Sequence, residues 1–107
     1  MKRGDIVAVA ISGDYGKPRP AVVIQSDLFD QHPSVTVLPI TSDRSDAPIF
    51  RIDLSPDPSN GLRLPSQVMV DRIQTVPRRK IGAILGTVSE GVMNTVERAL
   101  AVFLGIA

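Results

Sequence analysis

The distribution of proline divides this sequence into two parts with different folding options. All nine prolines lie at or before position 77, and the last thirty residues contain none. Proline removes a backbone hydrogen-bond donor and disrupts a helix interior, so the first part cannot form long helices. Val and Ile together number 23 against eight Leu, a β-branched excess typical of strands. The 107 residues therefore predict one mainly β domain whose long helix is confined to the C-terminal end.

Apolar runs separated by turn residues predict the strands of the first part. A cap-competent Ser26 followed by Leu28 and Phe29 predicts one short helical turn, which Pro33 ends. Alternation of apolar and charged residues across 50–54 indicates an antiparallel strand with one buried face. The predicted strands span 5–11, 21–25, 35–40, 50–54 and a bent or broken segment across 68–71 and 73–76.

The last thirty residues carry the periodicity of a helix. Apolar residues from Val92 to Phe103 recur at spacings of three or four, with Ser89 as a candidate N-cap and Gly105 just past the end. The segment 81–88 predicts a weak or bulged final strand, because Gly82 and Gly86 interrupt it.

Composition excludes several classes of site. Without Cys and with one His, the chain cannot assemble the usual zinc or iron–sulfur ligand sets, and a disulfide framework is impossible. The longest apolar stretch is well short of the roughly 20 residues that cross a bilayer, so no membrane span is expected. The absence of cysteine is consistent with a reducing, cytoplasmic location. The net charge of +1 does not mark a nucleic-acid binder, although nine of the twelve basic residues are Arg, whose planar fork matches phosphate oxygens.

Two segments could carry chemistry. Arg19 stands between Pro18 and Pro20, which restrict the backbone on both sides, so the side chain loses little entropy on binding an anion. Thr41 and Ser42 follow a predicted strand, where hydroxyls could bind a phosphoryl oxygen. From the residues alone, a stiff turn at Arg19 and ordinary strand-end hydrogen bonding at Thr41 and Ser42 are favoured over a functional site.

Other candidate residues point less clearly to a reaction. His32 is the only histidine, and its neighbour Pro33 favours a turn over an acid–base role. Asp43 and Asp46 lack an obvious third acidic ligand for a metal ion. The basic cluster at 78–80 is either a solvated turn or a phosphate-contacting patch.

Several segments, taken in order along the chain, resemble the MazF/PemK family of toxin endoribonucleases. They are Arg3-Gly4-Asp5-Ile6-Val7, Lys17-Pro18-Arg19-Pro20-Ala21-Val22-Val23, Leu38-Pro39-Ile40-Thr41-Ser42, and Asn60-Gly61-Leu62 followed by Pro65-Ser66-Gln67-Val68. Ala99-Leu100 and Leu104-Gly105 fit the terminal helix of the family. The resemblance spans nearly the whole chain and implies a single toxin domain over residues 1–107.

The resemblance also implies a fold, a reaction and partners. The fold is a small SH3-like antiparallel β-barrel, as in CcdB and PemK, with a short helix and a C-terminal helix. The activity is sequence-specific cleavage of single-stranded RNA by a cytoplasmic homodimer that needs no metal or cofactor. The ribose 2′-OH attacks the adjacent phosphate and leaves 2′,3′-cyclic phosphate and 5′-OH ends. A cognate antitoxin is expected to cover Arg19 with an acidic, partly disordered tail.

Site roles follow from the same resemblance. Arg19 would stabilise the charge of the transition state, and a permanently protonated guanidinium suits this role better than acid catalysis. Thr41 matches a strand-end Thr that binds a phosphoryl oxygen. Substrate contacts are expected from Tyr15, which is placed to stack on a base, and from Lys17, Ser42, Gln67 and Asp71.

The sequence departs from the family pattern at two places. Met69 stands where PemK-like members carry an Arg two residues before the acid at Asp71, and 12–18 contains no His, so the general base is open. Two alternatives to a ribonuclease remain open. The ending Phe103-Leu104-Gly105-Ile106 faintly resembles the CcdB-like toxins, which bind DNA gyrase, and the modest charge allows an inactive nucleic-acid-binding member.

Overall fold

The computed structural model describes residues 1–10, 17–46 and 49–106, which form an antiparallel sheet and one α-helix. These described residues also form three short 3-10 turns, at Asp27–Phe29, Val70–Arg72 and Arg78–Lys80. The helix, α1, is Glu90–Leu104. The strands are β1 Asp5–Ala10, β2 Pro18–Val23, β3 Ser34–Thr41, β4 Arg51–Leu54, β5 Ser66–Met69, β6 Gln74–Pro77 and β7 Ile81–Thr87.

The sheet is organised around β3. Its strands run in the order β4-β5-β3-β2-β1-β7, and β6 pairs with the first half of β3 while β5 pairs with its end. The turn at Val70–Arg72 therefore separates two short strands, β5 and β6, that both pair with β3. The sequence predicts such a broken strand in this segment. The predicted small antiparallel β fold with a C-terminal helix is confirmed. In the described part of the chain β4 and β7 do not pair with each other, so the sheet is open.

Both faces of the central strands are buried, which explains their nearly continuous apolar sequence. Ile6, Val22 and Leu38 pack on one face with Met93 and Val96 of α1. The alternate residues form a second cluster on the other face: Val7, Val9, Ala21, Val23, Val35, Val37 and Val76. No described helix is long and apolar enough to span a bilayer.

The predicted helix ends are confirmed. Ser89 Oγ accepts a hydrogen bond of 3.1 Å from the Val92 N–H, which satisfies one amide of the first turn. Gly105 has a φ of 75°, the left-handed conformation common just past a helix. The short predicted helix is a single 3-10 turn in which Ser26 accepts from the Leu28 N–H at 3.2 Å.

The expected irregularity of the last strand is confirmed. The β1–β7 ladder shifts register on both sides of Val7, as a bulged strand does. At Gly86 a Cβ would lie 2.4 Å from the backbone carbon of Asn60, so a close loop contact requires glycine there. The predicted start of the second strand at 21 is wrong, because β2 begins at Pro18 and pairs with β1 from that residue.

Candidate active site

A groove opens where β2 and β3 separate. The β2–β3 ladder has its last pair at Ala21 and Pro39, whereas the preceding residues of β2, Pro18 to Pro20, pair with β1. Two of these three residues are prolines, which have no amide hydrogen for a second ladder. The start of β2 therefore pairs with β1 along one edge, and its other edge, on the side of β3, is open.

The groove has a volume of about 650 Å³. It combines the start of β2, the end of β3 with the two residues that follow it, and the chain from 62 to 74. Its lining residues are Arg19, Pro20, Pro39, Ile40, Thr41, Ser42, Asp43, Leu62, Arg63, Leu64, Ser66, Met69, Arg72 and Gln74. The sequence-predicted residues Arg19, Thr41 and Ser42 are thus brought together.

Arg19 and Thr41 face the groove from neighbouring strands. If the register of Ala21 with Pro39 is continued by two residues, Arg19 falls opposite Thr41. Both belong to the same sheet face, because side chains alternate along a strand. Thr41 Oγ1 accepts a hydrogen bond of 3.0 Å from the Asp43 N–H, and this bond does not use the hydroxyl hydrogen. The hydroxyl can therefore donate to a ligand in the groove.

Charge in the groove is predominantly positive. Arg19, Arg63 and Arg72 contribute three guanidinium groups, and Asp43 contributes one carboxylate. The side chain of Arg72 is 64% exposed, and its Nε lies 4.0 Å from the Asp71 carboxylate. The chain as a whole carries a net charge of only +1, which means that the positive charge is local. A local excess of Arg binds phosphate groups well.

The Asn-Gly-Leu segment shapes the turn that precedes Arg63. Asn60 is 2% exposed, and its side chain donates to the Ser55 carbonyl at 2.9 Å and accepts from the Leu62 N–H at 3.0 Å. Gly61 has a φ of 68°, and a Cβ there would lie 2.1 Å from the Leu85 carbonyl oxygen. The tight turn directs the residues that follow it to the edge of the groove. The buried side chain of Asn60 and the positive φ of Gly61 explain why the sequence has Asn-Gly at this turn.

Asp71 does not line the groove. It lies in the Val70–Arg72 turn, where its carboxylate is 3.6 Å from Arg51 Nε and 4.0 Å from Arg72 Nε. Met69 lines the groove instead of the Arg that the family resemblance leads one to expect. Arg72, three residues later, supplies a guanidinium to the same groove, and sequence reasoning did not identify it.

Gln67 is buried beneath the loop that follows Thr41. It pairs with Thr41 in the β3–β5 ladder and is 5% exposed. Its amide group contacts the backbone of Ser45 and the carboxylate of Asp53, on the side of a second cleft of about 740 Å³. Lys17 is exposed directly before β2 and is not among the groove residues. Tyr15 lies outside the described residues.

Comparison with known proteins identifies the family of this chain. The family model of PemK-like, MazF-like toxins of type II toxin–antitoxin systems matches residues 2–104. The chain belongs to this family. The expectation drawn from the sequence resemblance is confirmed, and the match favours a MazF-like toxin over the CcdB-like alternative.

Individual relatives of this MazF-like toxin support the assignment. A probable endoribonuclease MazF from Mycolicibacterium smegmatis is 48% identical over 108 residues, which cover 100% of this chain and 99% of that protein. The fold is similar to an endoribonuclease in complex with its cognate antitoxin from a mycobacterial species, with a TM-score of 0.83, 25% identity and coverage of 100% and 97% of the two chains. The Mycobacterium tuberculosis toxin MazF-mt6 has a TM-score of 0.82 at 24% identity, covering 96% and 98%, and shares the fold.

His32 and Phe103 lie away from the groove of this MazF-like toxin. His32 Nδ1 accepts from the Ser34 N–H at 3.1 Å in an exposed turn, and its backbone carbonyl accepts from Arg78 Nε at 2.9 Å. Phe103 packs edge-on against Phe50 with ring centroids 5.4 Å apart. The side chains of the described segments form no group of three or more His, Cys, Asp or Glu suited to a metal ion.

Proposed function

We propose that this MazF-like toxin is an endoribonuclease that cleaves single-stranded RNA at short sequences, using the ribose 2′-OH as the nucleophile and no metal. The observation that carries the proposal is a groove with local positive charge that is lined by both Arg19 and Thr41. The 48% identity to a probable endoribonuclease over the full chain supports the same activity.

The reaction needs little covalent chemistry from the protein. The 2′-oxygen loses its proton and forms a bond to the adjacent phosphorus, the bond from phosphorus to the 5′-oxygen breaks, and that oxygen gains a proton. Negative charge increases on the phosphoryl oxygens in the transition state. The Arg19 guanidinium stabilises this charge, and the Thr41 hydroxyl donates a hydrogen bond to a phosphoryl oxygen.

The protein also supplies orientation. The flanking prolines restrict the backbone at Arg19, and the bond from the Asp43 N–H fixes the Thr41 oxygen. An RNA strand held with its 2′-oxygen in line with the leaving oxygen converts attack into an intramolecular step. Arg63 and Arg72 bind phosphates on either side of the cleaved bond, Ser42 adds a hydroxyl contact, and Lys17 attracts the strand beside the groove.

An antitoxin competes for the same groove. A solved endoribonuclease of similar fold is in complex with its cognate antitoxin. Three guanidinium groups in the groove favour an acidic, flexible segment as the ligand. Such a segment covers Arg19 and excludes RNA, so inhibition and cleavage are mutually exclusive. The toxin acts in the cytoplasm, where its RNA substrate is found.

The toxin also forms a homodimer in this proposal. Large apolar side chains are exposed at the end of α1, where Phe103 is 41% and Leu104 47% exposed, and on β7, where Ile84 is 55% exposed. Exposed apolar residues of this kind are usual at protein–protein contacts. Burial of these residues between two copies would remove them from water.

The proposal is tested with two matched RNA molecules in a buffer containing EDTA. One is all-RNA, and the other carries a 2′-deoxyribose on the 5′ side of the mapped cleavage bond. Cleavage of the first and protection of the second at that bond are expected. Equal cleavage of both would contradict the 2′-OH mechanism, and loss of activity in EDTA that Mg²⁺ restores would contradict metal independence.

A further inference from the structure

The side chain of Gln67 holds the loop that follows Thr41. Gln67 Oε1 accepts from the Ser45 N–H at 2.9 Å, and Nε2 donates to the Ser45 carbonyl at 3.0 Å and to Asp53 Oδ1 at 2.9 Å. Both backbone groups of one loop residue are therefore bound by one buried amide. The loop can move away only if water takes over the hydrogen bonds that Ser45 and the buried Gln67 amide make with each other.

The loop of residues 42–46 separates two clefts. Ser42 and Asp43 line the groove that holds Arg19, whereas Arg44, Ser45 and Asp46 line the second cleft of about 740 Å³. The loop is anchored twice. Thr41 Oγ1 binds the Asp43 N–H near its start, and Gln67 binds Ser45 two residues later.

We propose that Gln67 is a positioning residue that fixes the 42–46 loop against the groove and thereby determines which RNA sequences bind productively. This inference rests on the proposed ribonuclease activity. It gives Gln67 a role through the loop instead of the direct substrate contact that the sequence suggests, because a 5% exposed side chain with three hydrogen bonds to protein groups is not available to RNA.

Such a role predicts a specific kinetic pattern. Gln67 is not among the residues that line the groove, and its amide is bound to Ser45 and Asp53, so its removal leaves Arg19 and Thr41 able to act on RNA that is correctly bound. A loop that samples other positions binds RNA less tightly and discriminates less among bases that contact it. Loss of Gln67 should therefore raise KM and broaden base preference while kcat changes little.

The chain offers a matched control in Gln25. Its side chain also makes three hydrogen bonds to the backbone: Nε2 to the carbonyls of Phe29 and Ser34 at 3.1 and 3.0 Å, and Oε1 from the Thr36 N–H at 3.0 Å. Gln25 lines neither the groove nor the second cleft. Gln67→Met and Gln25→Met thus remove equal numbers of similar bonds, and only the first releases the loop.

The experiment compares wild-type protein with these two variants in thermal melting, steady-state cleavage of a panel of RNAs that differ next to the cleavage site, and amide hydrogen exchange of Ser45. We expect Tm to fall in both variants, and more for the buried Gln67 than for the partly exposed Gln25. In Gln67→Met we expect KM to rise about tenfold with kcat within about threefold, more RNA sequences to be cleaved, and exchange of the Ser45 amide to accelerate. Gln25→Met should keep the wild-type KM, base preference and Ser45 exchange.

Unchanged KM and base preference in folded Gln67→Met would overturn the inference, and so would equal changes in Gln25→Met. If Gln67→Met does not fold, Asp53→Ala provides the test, since Asp53 is exposed and its loss removes one of the three bonds. A smaller KM rise is then expected, and an unchanged KM would overturn the inference. Absence of cleavage by wild-type protein would instead contradict the proposed function, because the Ser45 exchange rates are measured without RNA.

Discussion

Arg19 and Thr41 line the same groove, each two residues beyond the last pair of the β2–β3 ladder, Ala21 with Pro39. Before Ala21, β2 pairs with β1 alone, because its ladder with β3 ends where Pro18 and Pro20 stand in the strand. A guanidinium and a hydroxyl are consequently carried by neighbouring strands that line one groove. These are the two kinds of group that stabilise a phosphoryl transition state.

Arg19→Ala should abolish most cleavage while the protein stays folded. Removal of a group that stabilises transition-state charge costs on the order of 10² to 10³ in rate, and Arg19 is exposed, so its loss disturbs little packing. Initial cleavage rates and circular-dichroism melting measure the two effects. Arg98→Ala, on the exposed face of α1, is the control and should cleave at the wild-type rate.

Thr41→Val should lower kcat by roughly 10- to 100-fold, because it removes the hydroxyl donor but keeps a β-branched side chain in the strand. Thr41→Ser retains the hydroxyl and should keep most of the activity. Single-turnover cleavage of saturating RNA separates the chemical step from binding. Equal rates for the two variants would rule out a role for the hydroxyl.

Arg63→Ala and Arg72→Ala should each weaken RNA binding and make it less dependent on salt. Each lost phosphate contact reduces the slope of log K against log salt by about 0.7 for a single strand. A 2′-deoxy-substituted oligonucleotide that is not cleaved allows binding to be measured by fluorescence anisotropy at several salt concentrations. Slopes identical to that of wild-type protein would place both side chains outside the RNA path.

Asp71→Asn should change cleavage by less than about threefold, because its carboxylate lies outside the groove, 3.6 Å from Arg51 and 4.0 Å from Arg72, whose guanidinium stays in the groove lining. The loss of the ion pair should lower the free energy of unfolding by about 1 kcal/mol. Urea denaturation and initial cleavage rates test the two statements. A hundredfold loss of kcat in a folded variant would make Asp71 part of the reaction after all.

Gly61→Ala should destabilise the protein, because the added Cβ would lie 2.1 Å from the Leu85 carbonyl oxygen and φ at this position is 68°. A loss of about 1–3 kcal/mol is expected from the backbone conformation. Gly91→Ala is the control, since the atom nearest to its new Cβ is 3.9 Å away and the site lies in α1. That variant should be as stable as wild type or more stable. Thermal melting distinguishes them.

Most of the fold was predictable from local chemistry. The caps of α1 at Ser89 and Gly105 and the bulged β7 depend on residues close in sequence, so the pattern alone identifies them. The start of β2 was not predictable, because prolines usually signal a loop and the pairing of Pro18 with Ala10 of β1 is a tertiary contact.

The site was predictable in part. Arg19, Thr41 and Ser42 stand in segments whose spacing and resemblance single them out, and all three line one groove. Arg63 and Arg72 reach the groove only because a turn at Gly61 and a 3-10 turn after Met69 direct them there. Nothing in the local sequence distinguishes them from other exposed arginines, since the groove is formed by segments distant along the chain.

The most direct test of the account is end-group analysis of the RNA fragments that purified wild-type, Arg19→Ala and Arg98→Ala proteins produce from a long single-stranded RNA in EDTA. We predict discrete fragments with 2′,3′-cyclic phosphate and 5′-OH ends from the wild-type and Arg98→Ala proteins, and almost none from folded Arg19→Ala protein. Fragments with 5′-phosphate ends, or full cleavage by Arg19→Ala, would contradict it.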